Sequence, residues 1–213
     1  MKNDPISGDM NRIKGIIFDL DGTLINSIGG IGFSMNSVLE KNGMPTHSIN
    51  AYKTYVGNGV VELVKSSLPE SIAADTAIFS KVLNEMKTQY TQSWDYEMSV
   101  YDEVPELLSL LSDHSISLAI NTNKPSRFLT PIIDKYLKQW SFSCIIGGTS
   151  LKSLKPDPEG ALRILQTFGI SPEECVYVGD SDVDIATAKS AGICSISVTW
   201  GFRKKGNIRI DAL

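Results

Sequence analysis

The chain has 213 residues, of which 42% are hydrophobic, 21% charged and 8% aromatic. Those proportions belong to an ordinary globular protein and exclude disorder, collagen-like repeats and a coiled coil. With 20 Lys and Arg against 24 Asp and Glu the net charge is −4, and no basic cluster exceeds Arg203-Lys204-Lys205, so binding to a nucleic acid by bulk charge is excluded.

Residues 1–14 are polar and lack the apolar core of a signal peptide. No apolar stretch approaches the roughly 18–20 residues of a membrane span. The expectation is a cytoplasmic protein without a membrane or nucleic-acid partner. Cys144, Cys175 and Cys194 form no C-x-x-C pattern and sit among apolar neighbours, which predicts buried, reduced thiols.

Short, nearly continuous apolar runs follow at residues 13–18, 116–120, 144–146, 175–178 and 195–198. Each is too short for a helix, is mostly β-branched or aromatic, and is closed by Gly, Asn or Asp. Such runs suit strands of a parallel sheet covered on both faces. Helical patterns at 105–111, 158–168 and 182–191 alternate with the later runs, which argues for a doubly wound α/β sheet.

The stretch from Asn26 to Asp95 breaks this rhythm. Ile28, Ile31, Met35, Val38 and Leu39 trace one helix face, and Val60, Val61, Val64 and Leu68 a second. A third helix is expected over residues 74–92. The predicted organisation is a Rossmann-like core of residues 1–25 and 97–213 with a helical cap, 26–96, over the carboxyl edge of the sheet, where ligands bind.

The strongest chemical signal is Asp19-Leu20-Asp21-Gly22-Thr23, directly after the first strand. Two carboxylates two positions apart on an extended strand end point the same way. A Ca²⁺ loop would need an acid at its fifth position and Glu at its twelfth, where this chain has Thr23 and Gly30. A second signal, Gly179-Asp180-Ser181-Asp182-Val183-Asp184, gathers three more acids at another strand end. Their repulsion calls for a cation or basic residue, and with Asp19 and Asp21 they offer hard oxygen ligands suited to Mg²⁺. Asp182 is expected only to cap the helix that follows.

Asn121-Thr122-Asn123-Lys124 closes the strand at 116–120, where a hydroxyl and backbone N–H groups suit phosphate oxygens. Lys155-Pro156-Asp157-Pro158 sets one lysine in a stiffened backbone. Gly57-Asn58-Gly59-Val60-Val61-Glu62 ends in Glu and follows no strand, so it is not a dinucleotide fingerprint. His47 and His114 lack ligand spacing, which argues against zinc, and Trp94, Trp140 and Trp200 are expected to pack.

In order and strand context, these four acidic, hydroxyl and lysine segments resemble the motifs of the haloacid dehalogenase superfamily across essentially the whole chain. Tyr55-Val56-Gly57-Asn58-Gly59, Thr122-Asn123-Lys124-Pro125, Gly147-Gly148, Lys155-Pro156-Asp157-Pro158 and Val198-Thr199-Trp200-Gly201-Phe202 resemble its phosphoglycolate phosphatase group. The resemblance implies a phosphatase for a small phosphorylated metabolite, 2-phosphoglycolate first. Asp19 is then the nucleophile that forms an aspartyl-phosphate, and Asp21 the acid and base. Asp19, the Asp21 carbonyl and Asp180 would hold Mg²⁺; Thr122 and Asn123 would hold the phosphoryl oxygens. Lys155 would neutralise developing charge and position Asp19, with Asp184 behind it. Gly57, Asn58 and Gly59 would lie over the site and select substrate.

The dehalogenases of the superfamily lack the second acid of the first motif, so Asp21 disfavours dehalogenation. A β-phosphoglucomutase-like mutase and a pyrophosphatase share the scaffold, and a non-catalytic phosphometabolite-binding protein is the rival outside enzymology. Monomer and homodimer remain equally open. Two departures stand out: Asn26 occupies a position where the group commonly has Asp, and related chains run past Gly201-Phe202-Arg203 into a further strand and helix. A shortened last sheet element and a truncated chain both fit the ending at Leu213.

Overall fold

The computed structural model describes residues 12–203, so the polar N-terminus and the C-terminal departure lie outside the described residues. Strand β1 (Gly15–Phe18) leads into β2 (Ile25–Asn26) and then helices α1 (Ile28–Lys41), α2 (Ile49–Tyr55), α3 (Gly59–Ser67), α4 (Glu70–Ala73) and α5 (Thr76–Ser93). There follow β3 (Ser99–Val100), α6 (Val104–Asp113), β4 (Ser117–Thr122), α7 (Leu129–Ile132) and β5 (Cys144–Gly147). The chain then alternates through α8 (Glu159–Phe168), β6 (Cys175–Gly179), α9 (Asp182–Ser190) and β7 (Cys194–Ser197).

The five apolar runs form one parallel sheet in the order β5-β4-β1-β6-β7. Phe18 lies in register with Ile120 on one side and Val178 on the other. The residues that follow these three strands therefore emerge together at one edge. Side chains alternate between faces with the period of two that a strand imposes. Ile17, Ala119 and Tyr177 pack with Ala161 and Ile164 of α8 and with Ala188 of α9. Phe18, Leu118, Ile120, Val176 and Val178 turn the other way, into a core that continues through α6 to the helices between β2 and β3. Coverage of both faces is what continuous apolar strands require.

Among the described residues β7 is an edge strand, with Cys194 and Ile196 exposed. The expectation of three buried thiols is corrected accordingly: all are free, but Cys175 is buried, Cys144 half-buried and Cys194 exposed. Among the described residues only one side of β7 has a neighbour, so an apolar run there does not guarantee burial.

α1 buries the predicted face, Ile28, Ile31, Met35, Val38 and Leu39, and packs along α5, which turns Val82, Met86 and Tyr90 inward. Gly30 makes this possible, because a Cβ there would lie 2.8 Å from the carbonyl oxygens of Ser93 and Trp94. On α3 the buried apolar side chains are Leu63 and Val64, while Val61 is exposed, which corrects the predicted face by a rotation of the helix. β2 and β3 form a two-stranded antiparallel ribbon at the two ends of this helical stretch, with Asn26 opposite Ser99. Among the described residues, no helix is long and apolar enough to cross a membrane.

Candidate active site

At the carboxyl edge, β1 delivers Asp19, β4 delivers Thr122, and β6 delivers Asp180. The Asp19 N–H donates to Val178 O at 2.9 Å, which fixes the first of these ends against its neighbour. Gly22 turns the chain away with φ +92°, a region that favours glycine, and a Cβ there would run into the Asp180 carboxylate. The segment after β6 starts α9 with Ser181 as its cap, not Asp182. Ser181 N–H and Oγ–H both donate to Asp184 Oδ2, at 3.1 and 2.6 Å.

Lys155 reaches this edge from the loop before α8. Its Nζ lies 2.7 Å from Asp19 Oδ1 and 2.6 Å from Asp184 Oδ1, and all three side chains are buried. At Lys155 itself the loop is held by the side chain of Asn123. Its Oδ1 accepts from Lys155 N–H at 2.8 Å and its Nδ2 donates to Lys155 O at 3.1 Å. The same Nδ2 donates to Gly57 O at 2.9 Å, in the loop between α2 and α3. Arg203 reaches the end of α2 and that loop, donating to the carbonyls of Lys53 and Val56.

Asp19, Asp180 and Asp184 bring carboxylate oxygens within 4.8 Å of one another. Burial pushes the Asp19 carboxyl up to about 8; Lys155 offsets part of this, while Asp184 and Asp180 add repulsion. Burial and then Asp184 push Asp180 up to about 6. Burial works against the Lys155 ammonium, but the Asp184 and Asp19 carboxylates outweigh it and raise Lys155 well above its usual range. Asp21 stands apart from this cluster: it accepts from Lys124 Nζ at 2.8 and 3.1 Å and from Ser27 Oγ at 2.5 Å. Burial likewise opposes the charge on Lys124, and Asp21 outweighs it, so Lys124 too is raised.

Four acids thus crowd around two buried lysines, and the crowding favours protons on Asp19 and Asp180. The hard oxygen donors and the raised carboxyls fit a small divalent cation, which would take the place of those protons.

The site opens on a pocket of about 840 Å³ of empty space, part of it continuous with solvent. Asp19, Asp21, Thr122, Asn123, Lys155 and Asp180 line it from the sheet edge, and Gly57 and Gly59 from the helical side. Asn58 is exposed and does not line the pocket, and Asp184 lies beneath it, behind Lys155. Sequence reasoning missed Lys124, Ser27, Tyr90 and Arg203. Lys124 closes the Thr122-Asn123-Lys124 segment already singled out, and that was its only signal. Ser27, Tyr90 and Arg203 belong to the pocket or its acids only through the tertiary fold.

The sequence profile of the haloacid dehalogenase-like hydrolases matches residues 16–198. A phosphoglycolate phosphatase of Pseudomonas putida is 34% identical over 190 residues, 88% of this chain and 70% of its own. One from Photorhabdus laumondii is 33% identical over 208 residues, 95% of this chain and 87% of its own. A crystal structure described as a predicted phosphoglycolate phosphatase, from Haemophilus somnus, superposes with a TM-score of 0.84 at 32% identity, covering 91% of this chain and 88% of that one. The match runs from β1 through the last described strand, so it takes in every strand end that supplies the pocket with an acid, and on it this chain belongs to the haloacid dehalogenase-like hydrolase family.

Proposed function

We propose that the protein is a Mg²⁺-dependent phosphatase that hydrolyses a small phosphorylated metabolite in the cytoplasm, with 2-phosphoglycolate the leading substrate. The observation that carries it is the Lys155 ammonium held between Asp19 and Asp184, beneath a pocket into which Asp19 and Asp21 open. The names of the relatives support the same substrate.

Asp19 attacks phosphorus and forms an aspartyl-phosphate as the alcohol departs. Asp21 protonates the leaving oxygen, then takes a proton from the water that hydrolyses the intermediate. Thr122 and Asn123 hold the phosphoryl oxygens, Thr122 through its hydroxyl and Asn123 through its backbone, since its side-chain amide is committed to Lys155 and Gly57. Lys155 aims Asp19 and neutralises charge that develops on the phosphoryl group, and Asp184 orients Lys155. Asp19, Asp180 and the Asp21 carbonyl would hold Mg²⁺. The ion supplies the positive charge that lets an anionic carboxylate approach an anionic phosphate.

Residues 1–25 and 97–213 are read as the catalytic core and 26–96 as a cap. Gly57 and Gly59 meet the substrate from above; Asn58, exposed at the start of α3, does not. A cap seated over the pocket excludes water and selects the ester.

The test is phosphate release from a panel of small esters and pyrophosphate, with Mg²⁺ and then with EDTA. Mg²⁺-dependent release led by 2-phosphoglycolate is expected. Preference for pyrophosphate, or isomerisation of a sugar phosphate without release, would replace the assigned substrate; no turnover of any kind would overturn the enzyme.

A further inference from the structure

Lys124 spends a buried charge on Asp21. Its side chain is 3% exposed and that of Asp21 12%. The backbone on which it stands is tied at both ends, the Lys124 N–H to Thr122 Oγ1 at 3.2 Å and the Lys124 carbonyl to Gly148 N–H at 2.9 Å. Its ammonium lies 5.0 Å from the centre of the Tyr90 ring of α5 and, on Asp21, 2.8 Å from Oδ1 and 3.1 Å from Oδ2. Ser27, fully buried just before α1, donates to the same Oδ1 at 2.5 Å. Two donors on separate elements therefore converge on one oxygen of the carboxyl group, and the other keeps a single, longer contact. Desolvating an ammonium is costly, and an apolar side chain of similar length would fill the space with less loss. Packing alone does not account for a lysine here.

Resting on the assignment of Asp21 as the acid and base of a phosphatase, we propose that Lys124 and Ser27 are positioning residues that clamp Asp21 by Oδ1 and leave Oδ2 to carry the proton. In the first step the proton passes from Oδ2 to the ester oxygen as the bond from that oxygen to phosphorus breaks and the bond from Asp19 to phosphorus forms. In the second, Oδ2 takes a proton from the water whose oxygen displaces Asp19 from phosphorus. Lys124 keeps its protons throughout and acts on the ester and water oxygens only through Asp21. Its contribution is to hold the transferring atom in line, a geometric effect that a small displacement forfeits.

The test separates the two steps with p-nitrophenyl phosphate, whose leaving group departs without needing a proton. In rapid mixing with Mg²⁺, Lys124→Met should release the first equivalent of nitrophenolate within about fivefold of the wild-type rate and then turn over on the order of 10²-fold more slowly. With 2-phosphoglycolate, whose alkoxide needs the proton, the first turnover itself should slow by on the order of 10²-fold with little change in KM. Ser27→Ala should give the same pattern at about tenfold, and it answers the case in which Lys124→Met does not fold. Adding Lys124→Met to Asp21→Asn should slow the reaction no further. A burst and a steady rate that fall together, or losses that multiply in the double variant, would overturn the positioning role while leaving the phosphatase intact. Wild-type protein that releases phosphate from neither ester would overturn the phosphatase itself.

Discussion

The side-chain amide of Asn123 grips the backbone of Lys155 from both sides, accepting from its N–H at 2.8 Å and donating to its carbonyl at 3.1 Å. The loop after β4 thereby sets where the Lys155 ammonium falls. Asn123→Ala would strand the buried N–H and carbonyl of Lys155 and the half-buried carbonyl of Gly57. It should cost about 1–3 kcal/mol in a urea melt and, by loosening Lys155, lower kcat by on the order of 10²-fold. An unaltered melt with full kcat would mean that the two loops hold each other without this amide.

Asp19→Asn should abolish turnover, by on the order of 10⁴-fold or more, while the protein stays folded. Lys155 keeps Asp184 as its partner in that variant, and one of three crowded carboxylates loses its charge. Phosphate release at the wild-type rate from a folded Asp19→Asn protein would remove Asp19 as the nucleophile.

Most of this site is legible in the sequence because its residues sit at the ends of apolar runs. A strand that must be buried on both faces writes a continuous apolar signal, and the acids that follow Phe18 and Gly179 break it at the sheet edge. The small elements are another matter. α2 and α4 are too short to show a period, and β2 and β3 have two residues each. α7 carries Pro131 in its first turn, where a missing N–H is tolerated but reads as a break. Lys124 and Ser27 are single polar residues whose meaning comes from Asp21, reached 103 positions away in one case and 6 in the other.

The raised carboxyls make stability depend on pH in a definite sense. The native protein retains the Asp19 proton up to about 8 and the Asp180 proton up to about 6, whereas an unfolded chain releases both near 3.8. The folded state binds the extra protons, so the metal-free protein should lose stability as pH rises from about 4 towards 8 and level off above that. Lys155, raised well above its usual range, stays charged across this window. A cation competes with those protons, so the upward shift of Tm on adding Mg²⁺ should grow from about pH 5 to about pH 8. It should shrink in Asp180→Asn. Thermal melts with EDTA and with Mg²⁺ at three pH values check this, and a Mg²⁺ shift independent of pH would remove these acids from the metal site.

Gly22→Ala combines a strained φ of +92° with a methyl group directed into the Asp180 carboxylate. It should destabilise the fold by more than about 1 kcal/mol and raise the Mg²⁺ concentration needed for half-maximal activity. Gly43→Ala has a similar φ of +67° and open space around it, and serves as the control for strain alone. Equal effects from the two would mean that the approach to Asp180 is unimportant.

The ribbon in which Asn26 faces Ser99 has a consequence for how such a chain can change. It returns the polypeptide to the spot from which it left, so the helices between β2 and β3 add no span that the sheet must bridge. Residues can be gained, lost or rearranged between those two points while the strand ends that carry the acids keep their spacing, because lengthening a closed excursion costs little entropy. A lineage could therefore exchange these helices and inherit the chemistry, turning one hydrolytic engine toward new esters without rebuilding it.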